Sequence, residues 1–284
     1  MPIWGPWEFS WAWFLTASLG LWWYWRGVFR MAPEERPPLW RSALYVAGVL
    51  AIYAVLQTQY EYLALHMFFL NRIQHVAMHH LGPFLIALAW PGAALYRGMP
   101  GLVRRIVDWR FWHYPLLVLQ QPAIGSILFV GLVGLWLIPA VHFRAMIDPT
   151  LYRVMNWSMV VDGLLFWTVV LDMRSQPPAR VSFGGRALMA FVVMPPQILI
   201  GALIAFSDRD IYPYYDWCGR IFASIGAIDD QQFGGLNAWV PPAMMSVIAF
   251  LLVINALRLQ EEREERLSGP SHEGGISAGD WTGR

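Results

Sequence analysis

Ser42-Ala-Leu-Tyr-Val-Ala-Gly-Val-Leu-Ala-Ile-Tyr-Ala-Val-Leu-Gln-Thr-Gln-Tyr60 runs from one end to the other without a charged residue. A helix crossing the hydrocarbon core of a bilayer needs about 20 residues at ~1.5 Å each, and this run has that length. Inside lipid every backbone N–H and C=O must be satisfied within its own segment, so such a run predicts a helix. Working outward, comparable runs fall at roughly 9–26, 73–96, 115–138, 151–173, 187–207 and 238–257. The expectation is an all-α, polytopic transmembrane bundle of about seven spans, surrounded by membrane lipid.

Composition agrees with that reading. Of 284 residues, 57% are hydrophobic and only 14% charged, well below the ~25% of a soluble domain, and mean hydropathy is positive. Many of the 17 Trp sit at the ends of apolar runs; Trp4, Trp7, Trp11, Trp22, Trp23 and Trp25 bracket the first. There the apolar ring and polar N–H of tryptophan match the headgroup level. A net charge of +1 gives no electrostatic footprint for nucleic acid. One cysteine, Cys218, excludes a disulfide framework or a CxxC centre within the chain. The first run lacks a basic leader and is followed by Arg26 and Arg30, which predicts a retained helix.

Loop charge sets the expected orientation. Arg26, Arg30, Arg36 and Arg41 lie between runs one and two, Arg97, Arg104, Arg105 and Arg110 between three and four, and Arg174, Arg180 and Arg186 between five and six. Arg258, Arg263 and Arg266 follow run seven, whereas Asp148, Asp208, Asp210, Asp216, Asp229 and Asp230 fall in the other loops. With seven spans all these arginines share one side, which the positive-inside rule makes cytoplasmic. The N-terminus is then outside and the C-terminus inside. Residues 1–260 read as the transmembrane domain, and 261–284 as a cytoplasmic tail that starts as a charged helix and becomes a Gly/Ser-rich, disordered end.

Four of the seven histidines fall between His66 and His80. Glu61, His66, Asn71 and Arg72 favour a helix at the outer interface that turns inward and bends near Gly82-Pro83. At 100° per residue His75 and His79 share a face, Asn71 extends it by one turn, and Met67 and Met78 flank it, while His66 and His80 point elsewhere. Imidazole and thioether together suit copper, particularly Cu(I), and both are neutral when they bind. The plainer reading is a set of interfacial hydrogen-bonding histidines. Asp162 lies mid-span near Asn156, Ser158 and Met159, where a carboxylate is either functional or a packing group. The long outer loop ahead of run seven ends in Asp230-Gln231-Gln232-Phe233-Gly234-Gly235, whose glycines offer backbone freedom.

Several segments together resemble the CtaG-type cytochrome c oxidase assembly factors, polytopic proteins of the bacterial cytoplasmic membrane. They are Gln74-His75 with Pro83, Asp162-Gly163 with Phe166-Trp167, Ile200-Gly201 running through Asp208 to Tyr212-Pro213-Tyr214-Tyr215, and Asp230-Gln231-Gln232 with Gly234-Gly235 and Trp239. The resemblance covers about residues 57–257. It implies a non-enzymatic role in maturing a haem-copper oxidase by helping copper reach the catalytic subunit, with an outer-side copper donor as a second partner. Many members look like His-Met-x-Gln-His where this chain has Asn71-Arg72-Ile73-Gln74-His75, and they often carry histidines near the positions of Leu137, Tyr152 and Asn156. His75 is thus the best-matched ligand. His79, His80 and His66 are local replacements, Met67 or Met78 a soft third donor, and Asn71, Gln74, Asp162 and the Asp230-Gln231 loop supporting or docking groups. Two rival readings are a metal-free membrane chaperone for oxidase subunits and a redox protein binding haem or quinone through His75, His79, His113 or His142.

Overall fold

The computed structural model describes residues 4–268, and among these the regular structure is entirely helical. The chain runs through α1 (Trp11–Arg30), α2 (Leu39–Gln57), α3 (Tyr60–His66) and α4 (Phe68–His75). A π-helical turn, Val76–Leu81, joins α4 to α5 (Gly82–Ala89). Short helices α6 (Gly92–Gly98), α7 (Gly101–Val107) and α8 (His113–Leu119) precede α9 (Pro122–Leu137), α10 (Pro139–Ile147) and α11 (Pro149–Val170). The rest comprises α12 (Phe183–Val192), α13 (Met194–Ala205), α14 (Tyr214–Cys218) and α15 (Ala227–Ser268).

Among the described residues three helices are long and apolar enough to cross a membrane: Leu39–Gln57, Phe183–Ala205, which joins α12 and α13, and Ala227–Leu267. A fourth crossing arises if Gly101–Leu119 and Pro122–Leu137, bent by 78° at Gln120-Gln121, form one span. That is fewer than the seven apolar runs. At 20 and 22 residues α1 and α11 are long enough, but α11 carries Arg153, Asn156 and Asp162 and α1 is dominated by tryptophan and other aromatics. The run at 73–96 is divided by the π turn and by Trp90, whereas the turn at Val193 between α12 and α13 leaves Phe183–Ala205 a single membrane-length helix. The charged part of the expected tail continues α15 to Ser268; the Gly/Ser-rich stretch at 269–284 lies outside the described residues.

Small residues bring the helices together, as close backbone approach requires where both partners are surrounded by apolar material. A Cβ on Gly27 of α1 would stand 1.7 Å from the Ala94 carbonyl oxygen, and one on Gly98 of α6 would stand 1.7 Å from that of Trp23. Three apolar cores result, the one beside Gly27 holding Tyr24, Val28, Tyr45, Ala89 and Ala94; the other two are larger. One gathers Phe68, Met78, Trp136, Met155, Met159 and Tyr215, the other Phe84, Phe129, Phe166, Trp167, Ala190 and Val253. Buried polar side chains from α4, the π turn and α11 lie among these cores.

Candidate functional site

Met67, in an extended conformation (φ −139°, ψ 127°), breaks the helix between α3 and α4. The first amides of α4 therefore have no partner within their own segment. Asp230, on the first turn of α15, supplies one from a distance: its carboxylate accepts from the Phe68 amide at 3.0 Å and the Phe69 amide at 2.8 Å. Negative charge there also complements the positive end of the helix dipole. Arg220 balances the carboxylate at 3.1 Å and also bonds Asp216 and approaches Asp210. The next residue, Gln231, accepts from the Ile211 amide at 2.8 Å and donates to the Arg209 carbonyl at 3.0 Å, tying down the loop after α13. Asp230 and Gln231 are fully buried, and their polar atoms serve this chain's own backbone and, for Asp230, Arg220.

Gly234 and Gly235 lie within α15 rather than in a loop, and their use is close contact, not backbone freedom. A Cβ on Gly234 would meet the Phe68 ring at 2.2 Å, and one on Gly235 would meet the Ala205 amide nitrogen at 2.5 Å. They let α15 pack against α4 and α13 together.

The segment expected at the outer interface is packed inside the protein. Asn71, Arg72, Gln74, His75, His79 and His80 are all buried, and only His66, on α3, is partly exposed, with its Nδ1 2.8 Å from the Tyr62 carbonyl oxygen. Gln74 donates to the Val55 carbonyl at 2.8 Å and accepts from the Tyr152 hydroxyl at 3.3 Å. Arg72 donates to Asn71 Oδ1 and lies 5.1 Å above the Phe68 ring. Its Nε has no partner, and no carboxylate pairs with it among the described residues. It is a buried cation supported by an amide and an aromatic face.

The π turn alters the expected histidine face. A proline at position 83 cannot donate to the His79 carbonyl four residues earlier, and the wider turn accommodates its ring. In a π turn residues five apart, rather than four, come onto one side. His75 and His80 accordingly line one small cavity of about 20 Å³ with Arg72, Val76 and Met159, a volume on the scale of one water. Met159, from α11, stands in the lining where Met67 and Met78 do not; those two are buried in the surrounding core.

His79 turns toward α11. Its Nε2 lies 3.0 Å from Asp162 Oδ2 and its Nδ1 3.2 Å from His80 Nε2, while its ring stacks on Phe129 at 4.3 Å. Gly163 makes the approach possible, since a Cβ there would sit 2.2 Å from the His79 carbonyl oxygen. With Asp162 ionised, the hydrogen-bond directions follow: His79 Nε2–H donates to Asp162, and His79 Nδ1 accepts from His80 Nε2–H. In that protonation state His80 Nδ1 carries a lone pair. That atom and His75 Nε2 are buried without a hydrogen-bond partner.

His142, which falls between the apolar runs at 115–138 and 151–173, is fully buried; its Nδ1 lies 3.2 Å from the Trp136 carbonyl oxygen and its Nε2 3.0 Å from the Tyr215 hydroxyl. Tyr212 stacks on Phe68 at 4.1 Å and donates to the Leu137 carbonyl at 2.8 Å. Cys218, half-buried, points its thiol at the Leu65 carbonyl, 3.5 Å away. No three His, Cys, Asp or Glu side chains among the described residues stand close enough together to hold a metal ion. The thioether of Met159 is the donor type that such a grouping leaves out.

The architecture and site define a helical membrane protein with a polar, histidine-containing interior. The sequence model of the cytochrome c oxidase caa3 assembly factors (Caa3_CtaG) matches residues 22–259, and the chain belongs to that family. No curated protein and no solved structure matches alongside it. Membership ties the chain to cytochrome c oxidase during assembly and points to a non-catalytic role.

Proposed function

We propose that the protein assists the copper loading of a haem-copper oxidase in the bacterial cytoplasmic membrane, with His75, His80 and Met159 as a transient Cu(I) site. The copper ion is cargo here. The observation that carries this reading is the pair of buried, unpartnered imidazole nitrogens on residues that line one cavity with a thioether. Two nitrogens and one sulfur are a donor set suited to Cu(I). The Asp162–His79–His80 chain orients the His80 ring as outer hydrogen-bond partners orient metal-binding histidines generally. Arg72, in the same lining, opposes a cation, and its repulsion is half as large for a monovalent ion as for a divalent one. Weak retention suits a carrier that must release its cargo to the catalytic subunit after receiving it from an outer-side donor.

In this reading the chain crosses seven times, with α1, α2, α4–α5, α9, α11, α12–α13 and α15 as the crossings. The N-terminus is outside and the arginine-bearing loops face the cytoplasm, in accord with the positive-inside rule. The test is competitive Cu(I) titration of the purified protein against a chromogenic chelator. Wild type binds one equivalent, and His75→Ala with His80→Ala lowers affinity at least tenfold. Equal binding by both proteins removes the site.

One observation favours a second reading, that of a metal-free chaperone: Arg72 is an uncompensated charge where a cation would sit. That reading requires the double histidine variant to support full oxidase activity in membranes.

A further inference from the structure

At the arginine-bearing end of the bundle, away from the histidines, the end of α8 and the ends of α5 and α11 meet the loop that leads into α12. They enclose a cavity of about 190 Å³, several times the ~30 Å³ that one water occupies. Three arginines line it, Arg174, Arg180 and Arg186, with Asp172 as the one carboxylate. Asp172 is committed to Arg174 in a two-pronged pair, at 2.8 Å from Nε and 2.7 Å from Nη2. Arg180 has only the neutral Gln120 Oε1, at 2.9 Å. Arg186 is completely buried; its Nη2 donates to the Arg174 carbonyl at 2.8 Å and its Nε to that of Ser182 at 3.3 Å. Its Nη1 is buried with no partner at all. The lining therefore carries an excess of two positive charges.

Trp90 forms part of the wall, with the Arg174 guanidinium 4.8 Å above its ring. Its backbone is left-handed (φ 52°, ψ 57°), the one such non-glycine residue among those described. A bulky residue in that region is strained, and such strain gathers at ligand sites. A guanidinium is the side chain best shaped to bind tetrahedral oxyanions, through paired N–H groups.

We propose that this cavity binds a phosphate group, with Arg186 and Arg180 as its donors. Its chemistry is shared by the phosphodiester of an anionic lipid headgroup and by free phosphate. The setting favours the lipid. Basic pockets between membrane helices on the side rich in arginine take anionic headgroups, and the neighbouring segment exposes Trp109, Phe111, Trp112 and Tyr114, side chains that settle at the headgroup level. The inference does not depend on the copper reading.

Delipidated full-length protein in a phosphate-free neutral detergent tests it, by thermal shift and native mass spectrometry. The probes are short-chain phosphatidylglycerol, short-chain phosphatidylcholine and inorganic phosphate. Phosphatidylglycerol should bind at least tenfold more tightly than phosphatidylcholine, and Arg186→Gln should weaken it by a similar factor. Arg180→Gln, at an exposed position with a single neutral contact, should weaken it at least threefold and keeps the test intact if Arg186→Gln fails to fold. Saturation by millimolar inorganic phosphate with no preference for phosphatidylglycerol would support the site with free phosphate as its ligand. Absence of binding by either anion, or binding that Arg180→Gln leaves unchanged, overturns the proposal.

Discussion

Replacing Gly163 with alanine should uncouple α11 from the histidine turn without removing any polar group. The added Cβ would lie 2.2 Å from the His79 carbonyl oxygen and 3.0 Å from the Pro83 ring. A carbon and a carbonyl oxygen approach comfortably to about 3.3 Å, so the two elements must separate by roughly 1 Å. The Asp162–His79 contact, now 3.0 Å, would open to about 4 Å, beyond hydrogen-bonding range. Losing a buried hydrogen bond to a charged group costs about 1.5–3 kcal/mol, and overpacking adds about 1–3 kcal/mol. Alanine's better helix propensity returns up to ~1 kcal/mol, leaving a net loss of about 1.5–6 kcal/mol. Gly131→Ala in α9 is the control, because nothing lies within 4 Å of its added Cβ; it should be neutral or stabilising by up to ~1 kcal/mol. Unfolding by SDS titration in mixed micelles measures both. If Gly163→Ala proves as stable as Gly131→Ala, the close approach of α11 to the π turn is wrong, and so is the orientation of His80 derived from it.

Asp230→Ala orphans the Phe68 and Phe69 amides and leaves Arg220 without its innermost partner. A loss of about 3–5 kcal/mol is expected, with Asp230→Asn milder because asparagine still caps; hydrogen exchange at residues 68–70 should accelerate in both. Gln231→Leu removes the tether of the 204–211 loop. Limited proteolysis in that loop should therefore speed up, while global stability falls by about 2–4 kcal/mol at ~1 kcal/mol per bond. Glu61, half-buried on the short helix α3, has its carboxyl pushed up from 4.5 to about 8 by burial and, secondarily, by the nearby Glu8. The folded state then holds a proton that the unfolded state has released between those values, so this group's contribution to stability declines as pH rises from about 4.5 to 8. Thermal unfolding of Glu61→Gln should show a flatter pH dependence than wild type over that interval, and an identical slope would contradict the shift.

Much of the architecture was legible because a bilayer imposes one-dimensional constraints. Length, apolarity and backbone satisfaction can be read along a chain, so the helical class and the runs at 42–60, 187–207 and 238–257 follow from Ser42–Tyr60 and its counterparts. Asp162 was also visible as a carboxylate out of place in an apolar run, and both the Asp162-Gly163 and Asp230-Gln231 pairs were among the segments that carried the family resemblance. Their roles were not visible. Asp230 caps a helix 161 to 162 residues earlier, and no local periodicity encodes a partner at that distance. Gly234-Gly235 read as a source of backbone freedom because sequence alone does not distinguish a glycine that bends from one that admits a neighbour.

The histidines divide along the same line. Their clustering, and the chemistry that imidazole and thioether could support, belong to the sequence. Which of them face one another was decided by the π turn ahead of Pro83, which moved His80 rather than His79 beside His75, and by α11, which brought Met159 to the cavity and Asp162 to His79. A periodicity argument assumes a constant angle per residue. Here a proline constraint and the packing of a distant helix set the local winding, and both act through tertiary contact.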